Sequence, residues 1–181
     1  MSKIRGLIRE DHEDLRLKLL KKLLEDHIQV NFKRNSPKEK QMRELLEKTL
    51  KDYHNRIIQA ADVVRMMADM KNEVDDEADF RKELGLSDEE VEFYKAITSL
   101  KMGAFDNKFL ADLIHKVVKE LKKNLSQDWT SEHRKNIYAK VNMAVKKVLM
   151  NEGIKGQQLI FITKAIMEEA KEQYRDWPNE A

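Results

Sequence analysis

The chain has 181 residues, 35 Lys/Arg against 33 Asp/Glu for a net charge of +2, and 41% hydrophobic and 38% charged residues with only five Gly and two Pro. That composition favours helices over a turn-rich β fold, and the length suffices to bury a sizeable core. With no Cys, disulfides, thiolate-bound metals and thiol catalysis are excluded, and no apolar run approaches the roughly 20 residues of a membrane span.

From Arg9 to Ile28, Leu15, Leu19, Leu20, Leu23, Leu24 and Ile28 recur at helical spacing and predict an amphipathic helix. Val30 and Phe32 then alternate with polar residues, which predicts an extended connector ending at Ser36-Pro37. Ser36, Pro37 and Glu39 form a capping box with proline at the first helical position. Behind them Met42, Leu45, Leu46, Tyr53, Ile57, Ala60, Ala61, Val64 and Met67 continue without Gly or Pro as far as Lys71. One helix of roughly 50 Å over about residues 37–71 is therefore expected as the spine of the fold. Met66, Met67 and Met70 read as adaptable core filler, the other reading being a binding groove.

Residues 73–83 are acidic and sparse in apolar anchors, predicting a loop and a short helix that stops at Leu84-Gly85. Ser87 and Glu90 make a second capping box for a helix with Val91, Tyr94, Ile97 and Leu100, ending near Gly103. Asp106 or Asn107 starts the next, with Leu110, Leu113, Ile114, Val117, Val118, Leu121 and Leu125 on one side and Lys116, Lys119, Lys122 and Lys123 largely opposite. Thr130 or Ser131 caps a helix through Ile137, Val141, Val145, Val148 and Leu149. Gly153 ends it, and a last helix runs from about Gln157 to Tyr174.

Charge is unevenly spread. Residues 1–71 carry +5, residues 72–100 carry −7, residues 101–156 carry +6 and residues 157–181 carry −2. An acidic stretch between basic blocks is ordinarily a solvated helical surface, but it can also set the approach of a charged partner.

The search for chemistry is negative. The residues three before each His are Arg9, Leu24, Lys51, Asp112 and Thr130, so no Glu-x-x-His pair exists to hold a metal between helices. Ser36, Ser87 and Ser131 are explained as caps, and none lies in a Gly-x-Ser-x-Gly setting. The five glycines are isolated, so no phosphate-binding loop is present. No catalytic residue, cofactor site or metal site is expected.

Three segments follow one another along most of the chain. The first is Lys33-Arg34-Asn35, followed by Tyr53-His54-Asn55-Arg56. The second is Glu83-Leu84-Gly85-Leu86-Ser87-Asp88-Glu89-Glu90, leading to Phe93-Tyr94-Lys95-Ala96-Ile97. The third runs Val117-Val118-Lys119-Glu120-Leu121-Lys122-Lys123-Asn124, then Asp128-Trp129-Thr130, then Ala144-Val145-Lys146-Lys147-Val148-Leu149. In this order, over roughly residues 15–172, they resemble the C-terminal helical region of the R subunit (HsdR) of type I restriction enzymes. The stretch 131–142 departs from that pattern, and Gly153-Ile154-Lys155-Gly156 stands where many relatives have a Tyr-Pro-Pro-like turn.

The resemblance implies a fragment, since the family's nuclease and ATP-driven translocase motifs belong to upstream domains and are not in this sequence. It implies a non-catalytic, cytoplasmic module of DNA restriction that attaches the motor–nuclease subunit to a methyltransferase core of M and S subunits. A DNA-contacting module using the basic block 101–156 is the alternative. In fold terms the expectation is an all-α, irregular helical bundle around the 37–71 helix. It is one C-terminal helical domain over residues 1–181, with a sub-boundary within 72–88. Trp129 is expected to plug a joint between two helices, with Asp128 capping the second of them and Tyr53 in the core. Asn55 and Arg56 either satisfy buried polar groups or face a partner. Lys119, Lys122 and Lys123 are the candidate contacts to a partner or to the DNA backbone.

Overall fold

The computed structural model describes residues 2–103 and 105–178, with side chains described from residue 12 onward. The chain is all-α, 79% helical, with seven helices and no strand among the described residues. Two compact units divide it, Met1–Phe80 and Arg81–Ala181.

The first unit holds α1 (Ser2–Asn31), α2 (Pro37–His54) and most of α3 (Ala60–Leu84). Its core is drawn from all three helices: Leu17, Leu24 and Ile28 of α1, Met42 and Leu46 of α2, and Val63, Met67, Met70 and Val74 of α3, with Phe32 beside them. Each such aliphatic side chain contributes about 1.5–3 kcal/mol when fully buried. The methionines are thus core residues, with Met66 packed partly buried against the same cluster. Between α1 and α3, His27 Nε2 meets Asp75 Oδ1 at 2.7 Å. Ser36 caps α2 by accepting from the Glu39 N–H, but the Glu39 side chain does not return the bond; it is buried and pairs with Arg43.

Three expectations are corrected in this unit. The single helix over 37–71 is two helices, because the chain turns through residues 55–59. The Arg56 N–H donates to the Tyr53 carbonyl and the Ile57 N–H to the Asp52 carbonyl, both at 2.9 Å, with Arg56 in the left-handed region at φ 58°. This bond pair is the Schellman closure, and α3 ends the same way around Gly85 at φ 68°. The first closure was hidden because arginine occupies the position that glycine usually fills. Next, the proposed extended connector after Val30 is instead the end of α1 and a tight turn. Ile28 and Phe32, four residues apart, enter one core, and the Ser36 N–H closes on Lys33. Finally, residues 73–83 form no loop: Val63, Met67, Met70 and Val74 keep a helical stripe buried, so α3 runs unbroken to Leu84.

Replacing Arg56 by Gly should stabilise the first unit by about 0.5–1 kcal/mol. The strain of a side chain at positive φ is worth roughly 1–2 kcal/mol, offset in part by the extra chain entropy of glycine. Urea unfolding reads this, and a loss of stability in the Gly variant would contradict the assigned turn.

The second unit contains α4 (Asp88–Thr98), α5 (Asn107–Asn124), a 3-10 turn (Glu132–Arg134), α6 (Lys135–Asn151) and α7 (Gly156–Tyr174). Helix α5 packs on α4 and α6, and α7 packs on the same two, so the four helices close into a ring around one core. Ile114, Leu121, Trp129, Val141, Val145, Leu149, Ile162 and Ile166 are fully buried there. Local signals and packing agree at the starts of α4 and α5, whereas Ser131, expected as a cap, makes no side-chain capping bond. Ser87 and Glu90 complete a reciprocal capping box at 3.2 and 2.9 Å, and Asp106 accepts from the Phe109 N–H at 3.2 Å.

Glu169 of α7 is held above the ordinary glutamate range, first by burial and then by the nearby Glu92 and Glu172, against a hydrogen bond from Gln173. A carboxyl whose folded pKa is raised favours the fold below its unfolded pKa, and that contribution is lost as pH rises through the folded value. Glu169→Gln keeps an acceptor for Gln173, so it should raise the unfolding midpoint at pH 7. The gain should vanish below about pH 4, where the unfolded glutamate is also protonated. A midpoint gain that is the same at both pH values would contradict this.

Candidate functional site

The residues singled out in the sequence fall into separate settings. Tyr53 closes α2, half-buried against the first unit's core, with its hydroxyl donating to Asp14 Oδ1 at 3.1 Å. It borders an open groove of about 560 Å³ between α1 and α2, lined also by Leu17, Leu50 and His54. Asn55 and Arg56 are exposed in the turn that follows. Their backbone ends the helix, the Asn55 N–H bonding to the Lys51 carbonyl and the Arg56 N–H to the Tyr53 carbonyl.

Trp129 lies fully buried in the connection between α5 and α6. Its Nε1–H donates to the Tyr174 carbonyl at 2.7 Å, and its ring stacks on Tyr138 at 5.9 Å between centroids. Tyr174 is the last residue of α7, so the indole serves one of the carbonyls that a helix end leaves without an intrahelical donor. Asp128, by contrast, caps nothing with its side chain. It is exposed at φ 55°, and the Ser131 N–H bonds to its backbone carbonyl at 2.9 Å, so the residue shapes the turn through its main chain.

The lysines of α5 differ sharply. Lys122 Nζ lies 3.0 Å from Glu89 Oε2 and 5.8 Å from the centre of the Tyr174 ring. Glu89, only 8% exposed, also accepts from the Tyr174 hydroxyl at 2.7 Å, while the Gln173 amide donates to the Glu89 backbone carbonyl at 2.8 Å. Burial, reinforced by the Glu89 charge, pushes the Tyr174 phenol far above its usual range, so it remains a neutral donor. Lys122 is therefore part of a polar staple between α4, α5 and α7. At 3.6 residues per turn it stands about 20° from buried Ala111, at the margin of the apolar arc. Lys123 pairs with Glu120 at 3.4 Å, and Lys116 with Glu152 at 2.6 Å. Lys119 is exposed with no ion pair among the described residues.

Within the basic block 101–156, the residues of α6 were not singled out in the sequence as candidate contacts. Helix α6 carries Lys135, Lys140, Lys146 and Lys147, all exposed, and none is ion-paired among the described residues. The whole stretch 133–151 holds no carboxylate in a chain that is 38% charged, which is a signal the sequence did contain. The same face exposes Met143 at 71% and Met150 at 52%. A second exposed apolar stripe, Leu15, Leu19, Leu23 and Val30, runs along α1. Among the described residues no group of three His, Cys, Asp or Glu side chains gathers as a metal would require, and no helix is long and apolar enough to cross a membrane.

What these units define is an all-α chain whose described residues form seven helices and no strand. The model of the family described as type I restriction enzyme HindI endonuclease subunit-like, C-terminal, matches residues 3–176, and the chain belongs to that family. Among curated relatives, a putative type I restriction enzyme MjaIXP endonuclease subunit from Methanocaldococcus jannaschii is 30% identical over 172 residues, covering 91% of this chain and 16% of the relative. The type I restriction enzyme HindI endonuclease subunit from Haemophilus influenzae is 24% identical over 140 residues, covering 76% of this chain and 13% of the relative. The chain thus spans about one sixth or less of the length of these relatives. No solved structure matches.

Proposed function

We propose that this chain is a non-catalytic helical domain that docks the endonuclease subunit of a type I restriction system onto its methyltransferase core of M and S subunits. The observation that carries the reading is the family match over residues 3–176, which corresponds to a C-terminal part of subunits several times longer. Its two units act as parts of one such domain in the cytoplasm. Charge that is not ion-paired among the described residues of a helical face suits assembly, because complementary charge sets approach and register.

The test is co-purification of the chain with the M and S subunits. Co-elution in stoichiometric amounts is expected, and failure to associate at low salt would reject the docking role. The isolated chain should neither hydrolyse ATP nor cleave DNA, and ATP turnover that follows the chain through a mutation series would reject the non-catalytic part. A second reading, contact with the DNA backbone through the block 101–156, is favoured by Lys119, Lys135, Lys140, Lys146 and Lys147, which have no ion pair among the described residues. It predicts duplex binding that weakens steeply with salt, since each phosphate contact releases counterions.

A further inference from the structure

We infer that the outer face of α6 is the docking surface, and that it receives an acidic protein surface with an apolar centre, carried by the methyltransferase core. This rests on the docking role proposed above and adds where and by what chemistry the contact is made.

Helix periodicity organises the face. Val141, Val145 and Leu149 turn into the core. Opposite them Ala139, Met143 and Met150 form an exposed line, the two methionines one heptad and about 10 Å apart along the axis. Lys140 and Lys147 flank this line on one side, and Lys135 and Lys146 on the other. The result is an apolar strip between two rows of cations, the anatomy of a protein interface with a desolvated centre and a charged rim. Methionine is also the side chain that best adapts to an irregular opposing surface.

Charge placement supplies the second argument. On α5, Lys116, Lys122 and Lys123 are compensated by Glu152, Glu89 and Glu120, while Lys108 and Lys119 are not. On α6 no lysine is ion-paired among the described residues. The helix begins on Arg134 and Lys135, with no acidic residue in its first turn and no side-chain cap. Cations at a helix N-terminus oppose the macrodipole. A fold selected for stability alone would place acids there. An acidic partner rim would neutralise both the lysine rows and this unfavourable end. A duplex would engage the lysines but leave Met143 and Met150 facing phosphates, so the central strip favours protein over nucleic acid.

The experiment compares the wild-type chain with a rim variant (Lys135→Glu, Lys140→Glu, Lys146→Glu, Lys147→Glu) and a centre variant (Met143→Ser, Met150→Ser). Binding is read against the purified M–S core and against an unrelated 20-base-pair duplex, and sedimentation reports self-association. Circular dichroism and melting establish that both variants fold. The rim variant should lose at least tenfold in affinity for the core, chiefly in association rate, and the loss should shrink as salt rises. The centre variant should lose a similar factor, chiefly through faster dissociation and at every salt concentration. If the wild type binds the core and both variants bind equally well, the α6 face is overturned while the docking role stands. If the wild type does not bind the core, the role and the face fall together. Loss of duplex affinity alone in the rim variant would assign the face to nucleic acid, and wild-type self-association abolished in the centre variant would assign it to a second copy. Either result overturns the inference.

Discussion

Trp129→Ala should destabilise the second unit by about 3–5 kcal/mol, the usual cost of truncating a fully buried aromatic. The side chain fills the joint between α5 and α6, stacks on Tyr138 and donates to the last carbonyl of α7. Its removal thus opens a cavity and withdraws a donor from a helix end. Because domains of this size retain only about 5–15 kcal/mol in total, the variant should be close to marginal. Its thermal midpoint should fall by on the order of 20 °C. Trp129→Phe separates the two contributions, since it keeps most of the volume but not the N–H, and about 1 kcal/mol of the loss should persist. A Trp129→Ala variant melting within a degree or two of wild type would contradict the assigned packing.

The helix class was legible because apolar residues recur at helical spacing and because Ser87, Glu90, Asp106, Gly85 and Gly153 are chemically suited to the ends they occupy. The same physics explains what was hidden. The ends of α2 and α3 are closed by the same pair of backbone bonds, yet only α3 advertises its end with a glycine; Arg56 adopts the required φ without any compositional signal. Asp128 is a residue type that often caps helices, but here the backbone adopts positive φ and uses the carbonyl instead. For the candidate contact surface, the sequence gives the number of lysines in 101–156 but not their partners. Pairing depends on which carboxylates of other helices come within reach, as Glu89 and Glu152 do for α5. Tertiary pairing accounts for Lys116 and Lys122, a pair within α5 accounts for Lys123, and among the described residues the lysines of α6, Lys108 and Lys119 have no ion pair.

Lys122→Glu is the second large effect expected, and it discriminates between two readings of the α5 lysines. Glu89 is enclosed, with its carboxylate held by the Tyr174 hydroxyl and the Lys122 ammonium. Removing one partner of a buried ion pair costs about 3–5 kcal/mol. Lys122 is itself 40% exposed, so solvent screens the charge and the expected loss falls to about 1–3 kcal/mol. Lys119→Glu, on an exposed position without an ion pair among the described residues, should change stability by no more than about 0.5 kcal/mol. Urea titration of the two single variants reads the difference, and equal stabilities would mean that the Glu89 staple contributes nothing. Lys122→Met should recover part of the loss, because its unbranched stem still covers the Tyr174 ring while the like charge is removed. Reversing Lys119, Lys122 and Lys123 together therefore disturbs the α4–α5–α7 staple before it reports on any partner, whereas reversal on α6 leaves every described ion pair of the second unit in place.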